Sequence, residues 1–479
     1  MTRAYAPADW GLSVEPSGAL ALEGHRLVEL ARRFGTPLHV VSARRLREDA
    51  RAFLDAARKA YPEGVSVHYA MKCNGVPGVV GKLREAELGV EVCTAHELHL
   101  ALRLGFDPGE IVVNGPAKTP AFLASCVAAG VKLVVVDALE ELAELSRLAR
   151  GRAEPVAVLL RVNPGYLPAG VNRGTATASR RGSAFGLDLK GGEVRRALEA
   201  VRGERGLRVR GVHMHIGTGI RSPRAWRGAL RALPALRRLF HLAGLAIEVV
   251  DLGGGIASRT TREMGTAEQA LYGMVGRLPT FRPRREMPPL DRFLGELGRG
   301  MRRAFAGGPL PTLLLEPGRC ITSASQCLLL TVLGVKHRAG AGTWITADGG
   351  LSTVTLPTYY ECHTVLLCDD ARRPAAGRVT LTGPACFAGD LIYRNITMPR
   401  IGPGEVLSIM DTGAYFTALE SSFGFPRPAI VLVDGDHARL IRTRETFDGM
   451  LARDLISSAT EPAAEARPSA APAGARRVP

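Results

Sequence analysis

The sequence of 479 residues predicts an α/β protein that combines a (β/α)8 barrel of the TIM type with a mostly antiparallel C-terminal β domain. Short β-rich apolar runs alternate with amphipathic stretches of helical period between residues 66 and 318. These runs number eight, which is how many parallel strands close such a barrel. Beyond residue 318 the apolar runs are separated by Gly and Pro turns instead of helical stretches, which favours antiparallel strands.

The eight predicted barrel strands are spaced fairly evenly along the chain. They comprise residues 66–71, 90–93, 110–114, 132–137, 156–163, 208–216, 247–252 and 312–316. The helical stretches between them include 96–104, 138–149 and 193–201. Two longer segments, 165–183 and 256–289, break this rhythm and are predicted to be loops at the end of the barrel where the strands finish.

The same patterns divide the chain into four parts. Residues 1–43 form an N-terminal segment whose strand, 38–42, is expected to join the β domain, because the barrel already has its eight strands. Residues 44–320 form the barrel, and residues 321–458 form the C-terminal β domain. The strands predicted in that domain are 343–347, 378–382, 405–409, 429–433 and 438–442. Residues 459–479 are rich in Ala, Pro and Arg and are predicted to be disordered.

Composition excludes several classes of protein. The net charge is +16, but the basic residues occur as scattered pairs without a recognition motif, so no nucleic-acid partner is predicted. No apolar run reaches the ~18 residues that span a bilayer, and residues 1–16 lack a signal pattern. The eight cysteines include no Cys-x-x-Cys pair and no zinc spacing, which favours free thiols and no metal. We therefore expect a cytoplasmic protein that does not bind membranes.

Polar or glycine residues stand at the ends of the predicted barrel strands. They are Lys72, Glu91, Asn114, Asp137, Arg161, Asn163, His215, Gly253, Gly254, Gly255 and Glu316. Because the C-terminal ends of barrel strands meet at one mouth, these residues should converge there. An amine, a glycine-rich turn with free N–H groups and a carboxylate are what pyridoxal 5′-phosphate (PLP) needs for its aldehyde, phosphate and pyridine nitrogen.

Short motifs then follow one another along the chain. They are Tyr-Ala-Met-Lys-Cys-Asn (69–74), Gly-Val-His-Met-His-Ile-Gly-Thr (211–218), Asp-Leu-Gly-Gly-Gly (251–255), Glu-Pro-Gly-Arg (316–319), Asp-Gly-Gly (348–350), Gly-Pro-Ala-Cys (383–386) with Asp390, and Gly-Ala-Tyr (413–415). In this order they resemble the fold-type III PLP-dependent decarboxylases, which include diaminopimelate, ornithine and arginine decarboxylases. The resemblance covers about residues 35–454 and implies the barrel architecture shared with the alanine racemases.

The resemblance implies roles for three residues that act on the cofactor. Lys72 would hold PLP as a Schiff base, and burial is expected to lower the pKa of its amine. Glu316 would keep the pyridine nitrogen protonated, so that the ring accepts the electron pair left when CO₂ departs and a quinonoid intermediate forms. His215 would stack on the ring. The strand period places His213 on the same face, so the pattern alone does not choose between the two histidines.

Further roles follow from the same resemblance. The triplet Gly253, Gly254 and Gly255 would bind the phosphate, and Gly217, Thr218, Arg319 and Tyr415 would bind the phosphate or a carboxylate. Gly318 would complete the cofactor-binding set. Cys386 would return a proton to Cα, from a loop that reaches into the barrel of a neighbouring subunit. This arrangement implies a homodimer with shared active sites. The candidate substrate-binding residues are Arg319, Tyr360, Phe387 and Asp390.

Two positions depart from the family pattern at the far end of the substrate. Leu356 stands where diaminopimelate decarboxylases have an arginine for the distal carboxylate, and Phe387 stands where diamine-forming members have Asp or Glu. An apolar ring supplies no counter-charge for a buried ammonium group. We therefore hypothesise that this chain decarboxylates an amino acid, or a derivative such as a carrier-tethered one, that lacks a free distal amine. Such a substrate would belong to specialised metabolism.

Other functions stay open at this point. One is meso-diaminopimelate decarboxylation for lysine biosynthesis, with a distal pocket rebuilt from other residues. A racemase on the same barrel is disfavoured by Glu316 and Cys386, because racemases have an arginine at the pyridine nitrogen. A PLP-binding protein without a reaction would be a single small barrel, and a catalytically inactive scaffold is opposed by the retention of Lys72, Glu316 and Cys386.

Overall fold

A computed structural model describes residues 5–168, 179–180, 182–276, 286–354 and 360–455. Eight strands in this part of the chain pair side by side in parallel and close into a barrel, because the eighth strand pairs with the first and the fourth with the fifth. In chain order these barrel strands 1–8 are Val65–Ala70, Gly89–Val92, Ile111–Val113, Leu133–Val136, Val156–Asn163, Leu207–His213, Val249–Asp251 and Thr312–Leu315. The predicted barrel is confirmed, with each strand end within three residues of its predicted place.

Helices cover the outside of the barrel. They are Ala43–Ala60, Pro77–Glu85, Ala95–Arg103, Pro120–Ala129, Leu139–Ala149, Glu193–Ala200, Arg227–Leu242 and Leu290–Ala304. Their ends follow local chemistry: the Thr119 hydroxyl accepts a hydrogen bond from the Phe122 N–H at the start of one helix, and Gly130 ends it in the left-handed region. These helices bury their apolar faces against the strands in one continuous core.

The inside of the barrel is filled with side chains. The interior layer consists of Val112, Leu133, Val135, Leu159, Val249 and Leu314, contributed by five of the strands. All six are buried. Because this layer is a packed core and not a channel, polar chemistry is confined to the ends of the barrel.

The second domain is a sheet that is mostly antiparallel. Its strands are Gln326–Arg338, Gly342–Ala347, Val365–Leu367, Ala375–Thr382, Leu391–Pro399, Val406–Ile409, Ala429–Asp434 and His437–Arg442. The strand Leu38–Ser42 lies within this sheet, antiparallel to Gln326–Arg338 and parallel to Ala429–Asp434. The fold class predicted from the sequence is thereby confirmed, whereas the exact domain limits stay predictions.

Several elements were not predicted. The N-terminal segment folds into a small antiparallel sheet of Leu12–Val14, Leu20–Leu22 and His25–Arg26, followed by the helix Leu27–Phe34. These elements pack on one face of the second domain. The long strand Gln326–Arg338 and the strand Leu391–Pro399 also lay outside the predicted set.

The segment after barrel strand 7 connects the barrel to the second domain. It contains the strand Arg262–Glu263, which pairs antiparallel with Glu361–Cys362, and the helix Thr266–Val275. Residues 277–285 of this segment, most of the other predicted loop (165–183) and the predicted disordered tail (459–479) lie outside the described residues. Within the described part of the chain, no helix combines the length and apolar character needed to cross a membrane.

Candidate active site

Lys72 lies at the mouth of the barrel, in the helical turn Met71–Cys73 that follows barrel strand 1. Its Nζ atom contacts the carboxylate of Glu91 and lies 3.7 Å from the Sγ atom of Cys93. Glu91 belongs to barrel strand 2 and is fully buried, whereas the Lys72 side chain is 40% exposed toward the mouth. The amine therefore contacts buried residues of the barrel and is accessible from the mouth of the barrel.

The pKa of Lys72 differs from the expectation based on burial alone. Burial acts to lower this pKa, but Cys93, Glu91 and Glu316 together outweigh it, and the pKa is raised well above the usual lysine value. The prediction of a lowered pKa is therefore wrong for the site as it stands. Its physical reason is that the strand ends supply carboxylates, which stabilise the ammonium form.

Glu316 ends barrel strand 8 and is buried among polar groups from other strands. The Nδ2 atom of Asn114 donates a hydrogen bond to its Oε1 atom at 3.1 Å, and the Nε2 atom of His213 lies 3.5 Å from its Oε2 atom. Burial alone would raise the pKa of Glu316, but His213 offsets this effect and the pKa is lowered. Glu316 is therefore an anion at neutral pH.

Asp251, at the end of barrel strand 7, lies beside Glu316. Its Oδ1 atom accepts a hydrogen bond from the Gly253 N–H at 2.7 Å, and its buried carboxyl group interacts with that of Glu316. Burial and the nearby Glu316 raise the pKa of Asp251 well above its usual value. Two adjacent buried carboxyl groups do not both ionise, so Asp251 carries the proton and Glu316 the charge.

The ligand atoms of His213, Asp251 and Glu316 all lie within 4.8 Å of one another. Such a set could also hold a divalent cation, because imidazole and carboxylate are common metal ligands. The expectation that the protein binds no metal therefore stays a prediction. The hydrogen bond from Asn114 and the low pKa of Glu316 equally suit a protonated ring nitrogen.

His215 is half-buried just beyond barrel strand 6, and its Nδ1 atom accepts a hydrogen bond from the Gly254 N–H at 3.4 Å. Burial lowers the pKa of His215 to about 3, and the positive charges of Arg161 and Lys72 add to this effect. The ring is therefore neutral. Both histidines on this face belong to the site: His213 contacts Glu316, and His215 lies against the glycine triplet.

The glycine triplet lies where three strands approach closely. A Cβ atom at Gly253 would lie 2.6 Å from the His215 Nδ1 atom, and one at Gly254 would lie 2.0 Å from the carbonyl oxygen of Glu316. A Cβ atom at Gly255 would lie 1.8 Å from the carbonyl oxygen of Gly217, the residue before Thr218. Only glycine fits these positions, and the backbone is left accessible to a ligand.

Arg319 follows the eighth strand and is buried beside the second domain. Gly318 lies against Cys73, the neighbour of Lys72, since a Cβ atom there would be 2.9 Å from the Cys73 Cβ. The Arg319 guanidinium lies 5.0 Å from the centre of the Tyr415 ring, and its Nη1 atom is 2.8 Å from the Glu361 Oε1 atom. The neighbouring Tyr360 is half-buried, and burial raises its pKa to about 12.

The sequence did not identify several of these residues as functional. Glu361 and His363 pair at 3.0 Å (Oε2–Nε2), and both are fully buried. Glu263 lies opposite Glu361 in the short two-stranded ribbon. Nothing in the sequence links positions almost a hundred residues apart. Glu91 and Asn114, by contrast, were predicted to converge at the mouth, and Asp251 begins the predicted glycine motif, but the sequence assigned no role to any of the three.

The loop that carries Cys386 lies at the surface of the second domain. Cys386 and Phe387 are exposed on the turn between Ala375–Thr382 and Leu391–Pro399, and no hydrogen bond joins Cys386 to Lys72 within the described residues. Asp390 is buried beneath the loop, where its carboxylate accepts hydrogen bonds from the Leu351 N–H at 2.6 Å and the Ala385 N–H at 2.8 Å. Leu356 lies outside the described residues.

The site fits PLP on structural grounds. It offers an accessible amine at Lys72, an anionic carboxylate at Glu316 and a backbone cradle where a Cβ atom would clash. The buried Nε and Nη1 atoms of Arg319 have no aligned hydrogen-bond acceptor among the described residues, so they are available to donate to a ligand. The barrel and this site together define a PLP-dependent enzyme.

The family is shown by comparison with known proteins. Residues 47–323 match the family model described as "Pyridoxal-dependent decarboxylase, pyridoxal binding domain". The chain belongs to this family of PLP-dependent decarboxylases, and it is therefore a lyase that removes a carboxyl group from an amino-acid substrate.

Similar proteins span nearly the whole chain. A diaminopimelate decarboxylase of Actinosynnema pretiosum is 33% identical over 441 residues, which cover 91% of this chain and 93% of that protein. One from Aquifex aeolicus is 28% identical and covers 90% and 94%. A crystal structure of diaminopimelate decarboxylase from M. jannaschii matches with a TM-score of 0.79 at 24% identity, covering 93% of this chain and 98% of that one. At that identity the match shows the fold.

Proposed function

We propose that this decarboxylase acts on an amino acid, or an amino-acid derivative, whose side chain does not end in a free ammonium group. The observation that carries this proposal is Phe387, which follows Cys386 where the family resemblance leads us to expect Asp or Glu in diamine-forming members. The Phe387 side chain is 50% exposed, and its ring centre lies 6.1 Å from that of Phe423. An aromatic ring provides no full counter-charge for an ammonium group.

The environment of Arg319 supports a second part of the proposal, which concerns a distal carboxylate. Arg319 lies against Glu361 at 2.8 Å, and both side chains are buried. Because its charge is already offset inside the protein, Arg319 is a poor anchor for a distal carboxylate such as that of diaminopimelate. An uncharged distal group, including the linkage to a carrier, is compatible with this pocket.

We assign the residues of the mouth as follows. Lys72 holds the cofactor, with Glu91 placed to accept a proton from its amine, and Glu316 binds the pyridine nitrogen. When bound, PLP supplies a ring that stabilises the negative charge left on Cα after CO₂ departs. His215 orients the ring. The phosphate is bound by the glycine triplet Gly253, Gly254 and Gly255 with its neighbours Gly217, Thr218, Gly318 and Tyr415.

Cys386 is the proton donor in this proposal. It is exposed in the described chain and separate from Lys72, which is consistent with action on the site of a second copy. The protein would then be a homodimer with shared active sites, and Phe387 would enter the partner's substrate pocket together with Cys386. Asp390 would fix the loop. The eight unpaired cysteines are consistent with a reducing, cytoplasmic setting.

The second candidate is meso-diaminopimelate decarboxylation. The relatives at 33% and 28% identity carry that description and align over 90% or more of this chain. Tyr360, which the family resemblance associates with the substrate, is retained beside Arg319. In this case, other residues would have to bind the distal carboxylate and ammonium groups.

The test is CO₂ release from a panel of substrates by the PLP-loaded protein, with Lys72→Ala as the blank. The panel contains meso-diaminopimelate, lysine, ornithine, arginine, glutamate, glutamine and apolar amino acids. We expect little release from the substrates with distal ammonium groups. Phe387→Glu should raise release from ornithine or lysine at least tenfold, whereas the matched variant Phe387→Leu should not. Efficient release from diaminopimelate alone would refute the proposal and establish the second candidate.

A further inference from the structure

A charged cluster lies where the segment after barrel strand 7 meets the second domain. Glu263, in the strand Arg262–Glu263, stands directly opposite Glu361 in the antiparallel strand Glu361–Cys362. Like charges directly opposite each other destabilise such a pair of strands. Either another charge must stabilise this pair of carboxylates, or the pair must serve a function.

Among the described residues, only Glu361 of these two carboxylates has ion-pair partners. The Arg319 guanidinium lies 2.8 Å from Glu361, and His363 lies 3.0 Å from the other oxygen of the same carboxylate. Glu263 has no ion pair of its own among the described residues. Burial raises the pKa of Glu263 to about 7, an effect to which Glu361 adds and which Arg319 and Arg221 oppose. A substantial fraction of Glu263 is therefore protonated at neutral pH.

The cluster contains buried polar atoms that lack aligned hydrogen-bond partners among the described residues. These atoms are Glu263 Oε1, Glu361 Oε1, Arg319 Nε and Arg319 Nη1. The side chains of Arg319 and Glu361 are only 4% and 0% exposed. Buried polar groups are normally hydrogen-bonded, so several unmatched atoms at one place indicate a missing ligand or water.

The cluster adjoins the cofactor cradle. A Cβ atom at Gly219 would lie 2.2 Å from both carboxylate oxygens of Glu263, so only glycine lets this side chain lie there. Gly219 belongs to the same turn as Gly217, whose carbonyl oxygen lies against Gly255. On the other side, Arg319 stacks on Tyr415, whose backbone N–H bonds to the Cys73 carbonyl next to Lys72. A group bound here would lie beside the glycine cradle and near the chain next to Lys72.

We propose that Glu263, Glu361 and Arg319 form a subsite for an uncharged group that both donates and accepts hydrogen bonds, namely a carboxamide at the distal end of the substrate. The carboxamide oxygen accepts a hydrogen bond from Arg319 Nε. The two N–H groups of the carboxamide donate hydrogen bonds to the Glu361 Oε1 and Glu263 Oε1 atoms. A distal carboxylate would face two carboxyl groups. A distal ammonium would find no free negative charge, because Glu361 is already paired with Arg319 and Glu263 is protonated. The inference rests on the proposed function, which it makes specific.

The subsite also predicts a dependence on pH. The charged or titratable groups that face Glu263 are Arg221 after barrel strand 6, Arg319 after strand 8, and Tyr360 and Glu361 from the second domain. As the pH rises through about 7, Glu263 loses its proton and the subsite becomes negative. Ionised Glu263 supplies a counter-charge for a distal ammonium, so the preference for glutamine over ornithine should fall on this side of the profile. Glu263→Gln cannot ionise, so it should remove this fall from the pH profile.

The experiment compares three amino acids of similar length, namely glutamine, glutamate and ornithine, with the full-length PLP-loaded enzyme. We expect kcat/KM for glutamine to exceed that for each of the other two at least tenfold. Glu361→Gln should reverse the order for glutamate by releasing Arg319, seen mainly in KM. Glu248→Gln, a surface residue paired with Arg208 and Arg210, is the matched control and should change nothing.

Binding supplies a readout that does not depend on turnover. The corresponding amines are 4-aminobutanamide, 4-aminobutanoate and 1,4-diaminobutane, and calorimetry on the wild type should show at least tenfold tighter binding of the first. Equal binding of the three, or no binding of 4-aminobutanamide, would overturn the subsite. Turnover of apolar amino acids without this preference would overturn the subsite alone, whereas turnover of diaminopimelate alone would overturn the proposed function as well.

Discussion

Glu316 keeps a negative charge in a buried pocket because its neighbours stabilise that charge in place of water. Asn114 donates a hydrogen bond to it, and His213 lies within 3.5 Å. Asp251 carries the proton of this pair of carboxyl groups, so that Glu316 remains ionised. The electrostatic state of one carboxylate therefore depends on three residues from three other strands, and each of them is open to mutation.

Replacing Asp251 tests this arrangement. Asp251→Asn keeps a donor toward Glu316 and an acceptor for the Gly253 N–H, so we expect cofactor binding near that of the wild type. Asp251→Leu removes both, and loss of a hydrogen bond to a buried charge costs about 1–3 kcal/mol, or roughly 10- to 100-fold in affinity. Titration of each purified variant with PLP, followed by absorbance, measures the effect. If both variants weaken PLP binding equally, the hydrogen-bond donor at position 251 does not determine the affinity for PLP.

The roles of single residues were predictable only where the residue stands at the end of a predicted strand. Lys72, His215 and Glu316 stand at the ends of predicted strands and meet in the structure. Glu263 and Glu361 meet through a ribbon of two residues per strand, which is too short to leave a periodic pattern. The raised pKa of Lys72 was also not predictable from the sequence, because it depends on how close Glu91 and Cys93 come to the amine.

At the scale of elements, barrel strands 6, 7 and 8 approach so closely at their ends that side chains are excluded. Gly254 and Gly255 allow the carbonyl oxygens of Glu316 and Gly217 to lie against their Cα atoms. The glycine triplet therefore has a packing function as well as its assigned function in cofactor binding. A substitution there should affect both.

We expect Gly254→Ala to destabilise the protein by about 1–3 kcal/mol, because the new Cβ atom would lie 2.0 Å from the Glu316 carbonyl oxygen. Its PLP affinity should also fall. The matched control is Gly81→Ala in the helix Pro77–Glu85, where nothing lies within 4 Å of the new atom and alanine should stabilise the helix by about 0.5–1 kcal/mol. Thermal unfolding with and without PLP distinguishes the two. An unchanged Tm in Gly254→Ala would mean that the strand ends relax freely.

The loop that carries Cys386 depends on one buried anchor. Asp390→Ala leaves the N–H groups of Leu351 and Ala385 without their acceptor. We expect kcat to fall at least tenfold while the absorbance of bound PLP is unchanged, because the loop and not the cofactor site is loosened. Asp436→Ala, at an exposed turn of the same domain, is the control. Loss of the cofactor signal in Asp390→Ala would contradict this division.

Elements were predicted well where their period was repeated and poorly where it was not. The eight barrel strands are each flanked by helices, so the alternation itself marked them. The N-terminal strands have only two or three residues each. The strand Gln326–Arg338 runs from fully buried to exposed residues, so its pattern changes along its length and no single period describes it.

At the scale of the whole molecule, the two domains share one site. The second domain supplies Glu361, Tyr360 and Tyr415 to the mouth of the barrel, and the Tyr415 N–H bonds to the Cys73 carbonyl at 2.8 Å. The Cys386 turn of the same domain has no such contact with Lys72 in the described chain. The proposal that a second copy supplies Cys386 is compatible with this arrangement.

Mixing two inactive variants tests whether a second copy completes the site. Lys72→Ala and Cys386→Ala should each release little CO₂ alone. In a mixed dimer, one of the two sites combines an intact Lys72 with an intact Cys386. If half of the dimers are mixed, activity should recover to about a quarter of the wild-type value, as the twofold symmetry of such a dimer requires. The variant carrying both substitutions, mixed with either single variant, should restore none. If Cys386 acts within its own chain, mixing the single variants will give only their average, and the shared-site dimer must be abandoned.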